Sequence, residues 1–341
     1  GSSMKYQSSF RRIFPAIFTT LSIIAGLLFA PAATRTASAA RTFIVLTQYQ
    51  ASLSAGQEFY LGAVVSSGRL PSFKSSNAKV ASVNRYGLVT AKHAGSCRIT
   101  AKADGSESSC RVTVARTKIT LSTRSISMEN GETKRLQAST TGSEPVSFSS
   151  NKKSVAVVDS DGVITACKPG SAIISITAGK TTATCRVTVK KPSITLNHIY
   201  RKLFRCQQVQ LTADVSSGIT PTWKSNRSSV ATVSDTGLVC AQKHGTALIT
   251  AKADGVTKTC EIEVEAPTIR LSASSLTMKV GKTRTLGYKI SSGNAPLIKS
   301  SKPNVVQVDQ LGNLTARSVG TAVISFTEDG TRETCTVKVR K

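Results

Sequence analysis

The chain has 341 residues, 40% of them hydrophobic and 18% charged, which suits several small globular domains and argues against a disordered polymer. Aromatic residues make up 5%, and serine, threonine and valine stand where a helical protein would have runs of alanine, leucine, glutamate and lysine. This composition disfavours a helical bundle and favours strands and turns. The net charge of +27 indicates either contact with polyanions or a contribution to solubility alone.

The N-terminal segment has the features of an export signal. Residues 1–3 precede the first methionine and are interpreted as an expression scar. Residues 4–39 combine basic side chains, an apolar run from Ile13 to Ala30, and small residues that end at Ala39. This order is typical of a secretory signal peptide cleaved after Ala39, which predicts an extracellular protein, secreted or associated with the cell surface. Because the apolar run of ~18 residues is close to the length that spans a bilayer, a retained membrane anchor is the alternative.

Several residue types recur at a constant spacing of 75 positions after this segment. A fixed period with no insertion indicates tandem domains, and we place them at residues 40–116, 117–191, 192–266 and 267–341. The recurring positions are Cys110, Cys185, Cys260 and Cys335; Gly87, Gly162, Gly237 and Gly312; Ile44, Ile119, Ile194 and Ile269; and Leu61, Leu136, Leu211 and Leu286.

The second unit shows the pattern of one domain. Its alternating segments predict about seven short strands, with a tight turn at Asp161-Gly162. The predicted strands cover residues 119–122, 134–139, 146–149, 155–158, 163–166, 172–177 and 182–189. This is the pattern of an immunoglobulin-like β-sandwich, so the predicted fold is all-β, with four tandem sandwiches. Short junctions, two of them containing proline, predict an extended rod of ~120–160 Å.

Three sequence motifs recur in the units. An aromatic residue precedes serine-rich residues, as in Trp223-Lys-Ser-Asn226. A Val-Ala-x-Val segment leads to the turn glycine, as at Val230-Ala-Thr-Val233, and Gly245-Thr-Ala-Leu-Ile249 precedes the last strand. On these motifs the units resemble the bacterial Ig-like domain, group 2, over almost all of the chain after the signal segment. The resemblance implies a role as stalks and binding modules of bacterial adhesins. The pattern is broken at Ile298, where an aromatic residue is usual, and at Cys206, where the other units have glycine.

Eight cysteines in an exported protein suggest disulfides. The periodic cysteines alternate with inward-facing valines, and Cys335 is the single cysteine of its unit, so we interpret this set as small core residues. Cys97 takes an inward position on the strand beside Cys110, which leaves a Cys97–Cys110 disulfide across the last hairpin as a possible pair. No C-x-x-C motif is present, which argues against zinc.

No group of residues predicts catalysis. The three histidines fall in different repeats, and no Gly-x-Ser-x-Gly elbow is present. Catalysis needs a base, a nucleophile and an orienting group together, so we expect no enzyme and no cofactor. Asp159-Ser-Asp161 is the densest acidic pair, and we favour a solvated turn over a calcium site there. Trp223 has apolar equivalents in the other units and is predicted to be a core residue.

The third unit differs in sequence from the other three units over residues 198–206. Leu203 keeps the inward apolar position, whereas two aromatic residues replace polar ones and are expected to be exposed among basic side chains. Such a cluster predicts a binding patch, and packing against the neighbouring domain is the alternative. The patch consists of Tyr200, Arg201, Lys202, Phe204 and Arg205.

Positive charge is spread along the chain, at +6 over residues 40–115, +7 over 116–191, +2 over 192–266 and +8 over 267–341. Distributed charge suits multivalent contact with a long polyanion. The leading hypothesis is therefore a secreted or cell-surface structural and adhesive protein. Its partner would be an anionic polysaccharide, a wall polymer or another polyanion, with other surface proteins as further candidates. The alternative is a passive spacer or stalk segment of a larger surface assembly.

Overall fold

The computed structural model describes residues 41–341, so the predicted expression scar and signal peptide lie outside the described residues. The described chain is all-β, with 36 strands that fall into four groups of nine. We call these groups domains 1 to 4, and each lies within one of the predicted units. No helix in residues 41–341 has the length and apolar character needed to cross a membrane.

The strands recur at nearly the same positions in each domain. In domain 1, β1 to β9 are Ile44–Leu46, Gln50–Leu53, Glu58–Tyr60, Ala63–Val65, Ser72–Ser75, Ala81–Val83, Leu88–Ala91, Gly95–Ala103 and Ser106–Val114. In domain 2, β10 to β18 are Ile119–Leu121, Ser125–Met128, Thr133–Arg135, Ala138–Thr140, Val146–Ser150, Ala156–Val158, Val163–Ala166, Gly170–Ala178 and Thr181–Val189. In domain 3, β19 to β27 are Ile194–Leu196, Tyr200–Phe204, Gln208–Gln210, Ala213–Val215, Thr222–Ser225, Ala231–Val233, Leu238–Ala241, Gly245–Ala253 and Val256–Glu265. In domain 4, β28 to β36 are Ile269–Leu271, Ser275–Lys279, Thr283–Thr285, Tyr288–Ile290, Leu297–Ser300, Val306–Val308, Asn313–Ala316, Gly320–Glu328 and Thr331–Arg340.

Each domain is built from three small sheets with the same topology. In domain 2 the four-stranded sheet has the order β11-β18-β17-β14, the three-stranded sheet β12-β16-β15, and the two-stranded sheet β10-β13. The strands pair antiparallel except β11, which runs parallel to β18. The structure has nine strands in this domain where the sequence predicted about seven. The predicted strand 134–139 is divided because β12 and β13 pair with different sheets, and Ser125–Met128 was missed.

The core lies between the four-stranded sheet and the two smaller ones. Alternate residues of the long hairpin face inward, and the repeating cysteines among them are fully buried. Burial raises the pKa of each of these thiols, which keeps them protonated. Trp223 packs against the core of domain 3 but is half-buried, because it lies on the edge strand β23.

The predicted Cys97–Cys110 pair adopts a different arrangement in the structure. Both side chains are buried and both thiols are free. Cys97 lies opposite Val112 and Cys110 lies opposite Ile99, so the two cysteines are diagonal neighbours on the hairpin. Diagonal Cβ atoms are farther apart than the ~3.8 Å that a disulfide needs, so a bond here would require the strands to shift.

A tight turn with a glycine at its end recurs in every domain. In domain 2 the carboxylate of Asp159 accepts hydrogen bonds of 2.9 Å from the amides of Asp161 and Val163. Gly162 follows with a φ of 80°, and a Cβ there would lie 2.6 Å from the carbonyl oxygen of Leu136. Asp159 thus acts as a turn cap, which gives this member of the acidic pair a structural role.

Candidate binding surfaces

The five residues of the predicted patch lie on β20 or directly after it, at the edge of the four-stranded sheet of domain 3: Tyr200, Arg201, Lys202, Phe204 and Arg205. Strand β27 runs beside β20 and carries three outward glutamates, Glu261, Glu263 and Glu265. The equivalent outward positions in domain 4 are Thr336, Lys338 and Arg340. The low charge of domain 3 therefore results largely from one acidic column beside the predicted patch.

Two glutamates of this acidic column contact outward-facing side chains of the patch. The hydroxyl of Tyr200 donates a hydrogen bond to Glu263, which raises the pKa of the tyrosine. The ammonium of Lys202 lies 2.7 Å from Oε1 of Glu265, and this hydrogen bond raises the pKa of the lysine. Because its charge is matched locally, this part of the patch is poorly suited to bind a polyanion.

The other three residues of the patch lie in different surroundings from Tyr200 and Lys202. Arg205 faces domain 4, where its Nε donates to the fully buried carboxylate of Glu328 over 2.8 Å. Phe204 is half-buried, and Arg201 is exposed without an acidic partner among the described residues. The structure thus brings Tyr200 and Lys202 together and assigns Arg205 to a junction between domains.

Equivalent residues of domains 1 to 3 make the junctions, each directly before a turn residue with positive φ. The carbonyl of Ala55 accepts a hydrogen bond of 3.2 Å from the hydroxyl of Ser143 in domain 2. Asn130 donates to Asp254 of domain 3 over 2.9 Å. The junction at Arg205 is the most polar of the three, since His244 also lies 3.1 Å from Asp329. The sequence does not reveal this pattern, because the three junction residues share a position in the repeat but differ in chemical type.

A cluster of basic side chains lies on the outer face of the four-stranded sheet of domain 1. Arg98 on β8 lies directly opposite Arg111 on β9, and both are exposed. Lys74 and Lys102 lie on the same face. None of these four side chains has an acidic group within 4.0 Å among the described residues, and Glu107, opposite Lys102, is the one acid of this face. We call the four residues the basic face.

The basic face has no counterpart in the other domains. The positions of Arg98 and Arg111 are occupied by Leu248 and Glu261 in domain 3, for example. The sequence contains a signal that predicts the basic face of domain 1. Asp104-Gly105 is a typical two-residue hairpin turn, and pairing outward from it places position 98 opposite position 111.

A cleft of about 750 Å³ opens in domain 2 between the two-stranded sheet and the turn at residues 159–162. Phe148 lies half-buried in its lining, and polar side chains surround it. Six of these are exposed and make no side-chain hydrogen bond or ion pair with another described residue: Thr120, Arg135, Gln137, Ser139, Ser160 and Asp161.

Domain 1 has a corresponding cleft with a different lining. It has a volume of about 630 Å³ and includes Leu70, Phe73 and Tyr86. The guanidinium of Arg85 stacks over the Tyr86 ring at 4.7 Å from its centroid. The cleft of domain 1 is therefore apolar and aromatic, whereas that of domain 2 is lined by unpaired hydrogen-bonding groups.

Glutamine side chains cross the same region in domains 3 and 4, and domain 4 keeps a smaller cleft of about 340 Å³ there. Gln210, at the position of Arg135, donates a hydrogen bond of 2.7 Å to the carbonyl of Thr236 on the turn. Gln310, at the position of Ser160, donates to the carbonyl of Ile298 over 3.0 Å and accepts from its amide over 3.3 Å. The clefts could not be predicted from the sequence, because the residues that distinguish them are ordinary surface residues in loops and short strands.

Within residues 41–341 no group of three or more histidine, cysteine or acidic side chains could hold a metal ion. The outer sheet faces, the clefts and the junctions are the candidate binding surfaces of the described residues.

Family comparison agrees with the fold. Residues 144–191 match the family model described as a bacterial Ig-like domain, and residues 193–264 match the bacterial Ig-like domain, group 2. Residues 144–264 carry bacterial Ig-like domains in tandem. This confirms the resemblance drawn from the repeat motifs. No curated protein matches the chain at a significant level.

Solved structures of tandem immunoglobulin domains are similar to the chain at low sequence identity. Immunoglobulin domains 1–5 of Sidekick-1 are 14% identical, covering 86% of this chain and 78% of that one, with a TM-score of 0.31. A titin tandem is 14% identical, covering 65% and 99%, with a TM-score of 0.39. Domains 1–6 of the surface layer protein SbsC are 16% identical with a TM-score of 0.23. The match covers 88% of this chain and about half, 54%, of that structure. The tandem bacterial Ig-like domains support a structural or adhesive role.

Proposed function

We propose that the protein is a secreted or cell-surface structural and adhesive protein whose basic Ig-like rod binds an anionic polymer. The observation that carries this proposal is the basic face of domain 1, where Arg98 lies opposite Arg111 without a neutralising acid. Like charges directly opposite each other on two strands destabilise the sheet. A bound polyanion would remove this repulsion, and guanidinium groups can hold carboxylate, sulfate or phosphate groups through paired hydrogen bonds.

The distribution of charge supports attachment to a long polymer. Only three lysine and arginine side chains of the described residues form ion pairs, Arg69, Lys202 and Arg205, so most of the positive charge is free for a partner. Weak contacts at several domains add through effective concentration, and contacts at exposed charges weaken as salt rises.

The proposal is tested by the retention of the chain on immobilised dextran sulfate at increasing salt. The variant Arg98→Ala/Arg111→Ala should elute at clearly lower salt, because it loses two charge-assisted contacts and about tenfold in affinity. The control, Arg186→Ala/Lys190→Ala, removes the same charge from the equivalent sheet of domain 2. Equal loss in both variants would show that net charge, and not the basic face, determines binding.

A passive spacer or stalk is the second candidate function. It is favoured by the hydrogen bonds that join successive domains, above all the contact between Arg205 and Glu328. A chain that is not retained on dextran sulfate at low salt would support the spacer role and overturn the adhesive one.

A further inference from the structure

The cleft of domain 2 has the composition of a binding site for a polyhydroxylated ligand. Ligand sites combine an apolar surface with a few hydrogen-bonding groups that fix orientation. Here Phe148 provides the apolar surface, and Arg135, Gln137, Ser160 and Asp161 provide donors and acceptors that have no partner of their own among the described residues.

The four domains allow this cleft to be compared with its equivalents in the same chain. The position of Ser160 is occupied in domain 4 by Gln310, whose amide group is hydrogen-bonded to the backbone of Ile298, the equivalent of Phe148. In domain 3 Gln210 connects the two sides of the cleft. With the short Ser160 side chain and the exposed Arg135, the cleft of domain 2 has about 750 Å³, against about 340 Å³ for the equivalent cleft of domain 4.

We propose that the cleft of domain 2 binds a sugar unit of an acidic glycan, an inference that rests on the proposed binding of an anionic polymer. A sugar ring would lie against Phe148, with Gln137 and Ser160 bonded to ring hydroxyls. Asp161 would accept from hydroxyls, and Arg135 would hold the acidic group through paired hydrogen bonds. The cleft thus recognises the sugar, whereas the basic face of domain 1 recognises charge alone.

The decisive variant changes the shape of the cleft without changing its charge. Ser160→Gln introduces the residue of domain 4 and should place an amide against the backbone of Phe148, as Gln310 does at Ile298. Gln137→Ala removes one hydrogen-bonding group and serves as a second variant. Arg186→Ala, on the opposite sheet of the same domain, is the control for charge.

The measurement is binding of the full chain to a library of acidic oligosaccharides of three to six sugars and to their neutral counterparts. We expect binding to at least one acidic oligosaccharide. Ser160→Gln should weaken it at least tenfold and Gln137→Ala severalfold, with thermal unfolding unchanged, while Arg186→Ala should bind like the natural sequence.

Two results would overturn this site. One is the absence of binding to any oligosaccharide while the chain is still retained on dextran sulfate, which would leave the proposed function intact. The other is equal binding by the natural sequence, Ser160→Gln and Gln137→Ala. Failure of the proposed function would be recognised separately, by the loss of retention on dextran sulfate at low salt.

Discussion

Arg205 of domain 3 donates a hydrogen bond of 2.8 Å to the carboxylate of Glu328, whose side chain is fully buried in domain 4. The same carboxylate accepts hydrogen bonds from Ser292 and Asn294. Asn294 also donates to the carbonyl of Arg205 over 2.9 Å, so backbone and side chain are both held. The third junction is therefore a polar cluster in which one arginine supplies the charge that balances a buried acid.

Replacing this arginine should destabilise the junction. In Arg205→Ala the carboxylate of Glu328 stays buried without a cation, so we expect a loss of about 2 kcal/mol in the stability of domain 4. Hydrogen exchange of the full chain should then show faster exchange at residues 292–294 and 328–331. Arg201→Ala, on the strand that directly precedes Arg205 but without an acidic partner among the described residues, is the control. Unchanged exchange in Arg205→Ala would show that the ion pair does not stabilise the junction.

The turn glycines differ in what surrounds them, which gives a second prediction. Gly162 and Gly131 have φ values of 80° and 85°, but a Cβ at Gly162 would lie 2.6 Å from the carbonyl oxygen of Leu136, and one at Gly131 meets nothing within 4 Å. Both alanine variants carry the cost of placing a side chain at positive φ, about 1–2 kcal/mol. We expect Gly162→Ala to lose a further ~1–2 kcal/mol in the free energy of unfolding, because the backbone at Leu136 must move. Denaturant unfolding of both variants measures the difference, and equal losses would contradict it.

Thiol reactivity should distinguish buried from exposed cysteines. Cys206 is exposed, whereas Cys110 is fully buried and burial raises its pKa, with a smaller contribution from Cys97. A raised pKa lowers the fraction of reactive thiolate at a given pH. With iodoacetamide at pH 8, mass spectrometry should find Cys206 modified first and Cys110 only after unfolding. Recovery of a Cys97–Cys110 peptide under non-reducing conditions would instead show the disulfide predicted from the sequence.

Acid should affect the turn of domain 4 differently from that of domain 1. Hydrogen bonds from Asn313, and weaker ones from Leu311 and Gly312, lower the pKa of Asp309. A lowered pKa in the folded state stabilises the turn above the unfolded pKa of about 3.9 and loses that contribution as pH falls through the folded value. In domain 1 the cap is Asn84, which does not titrate.

Amide chemical shifts measured between pH 5 and pH 2 test this difference. The amides of residues 311–313 should shift in the acidic part of this range, and those of residues 86–88 should show no transition of their own. Asp309→Asn should abolish the transition in domain 4. A transition in domain 1 of the same size would show that global unfolding, and not this carboxylate, is responsible.

Much of the fold could be predicted because the repeat acts as an internal comparison. Positions that recur every 75 residues, such as Leu136 and Cys185, lie in the core, where packing tolerates little variation. One strand was predicted wrongly, because the segment 134–139 is divided between two sheets. The surroundings of the predicted patch at residues 200–205 could not be read from the sequence, because its acidic neighbours on β27 and in domain 4 are distant along the chain.

The sequence alone determined the all-β composition, the period and the inward positions, because alternation and turn residues depend on local geometry. Only the tertiary structure decided which surface charges are free. Arg205 and Lys202 are matched by glutamates, and Arg98 lies opposite Arg111. The cleft beside Ser160 is larger than its equivalent in domain 4, which Gln310 crosses. The function of a charged or small side chain depends on its neighbours on adjacent strands. Strand pairing brings together residues that are far apart in the sequence.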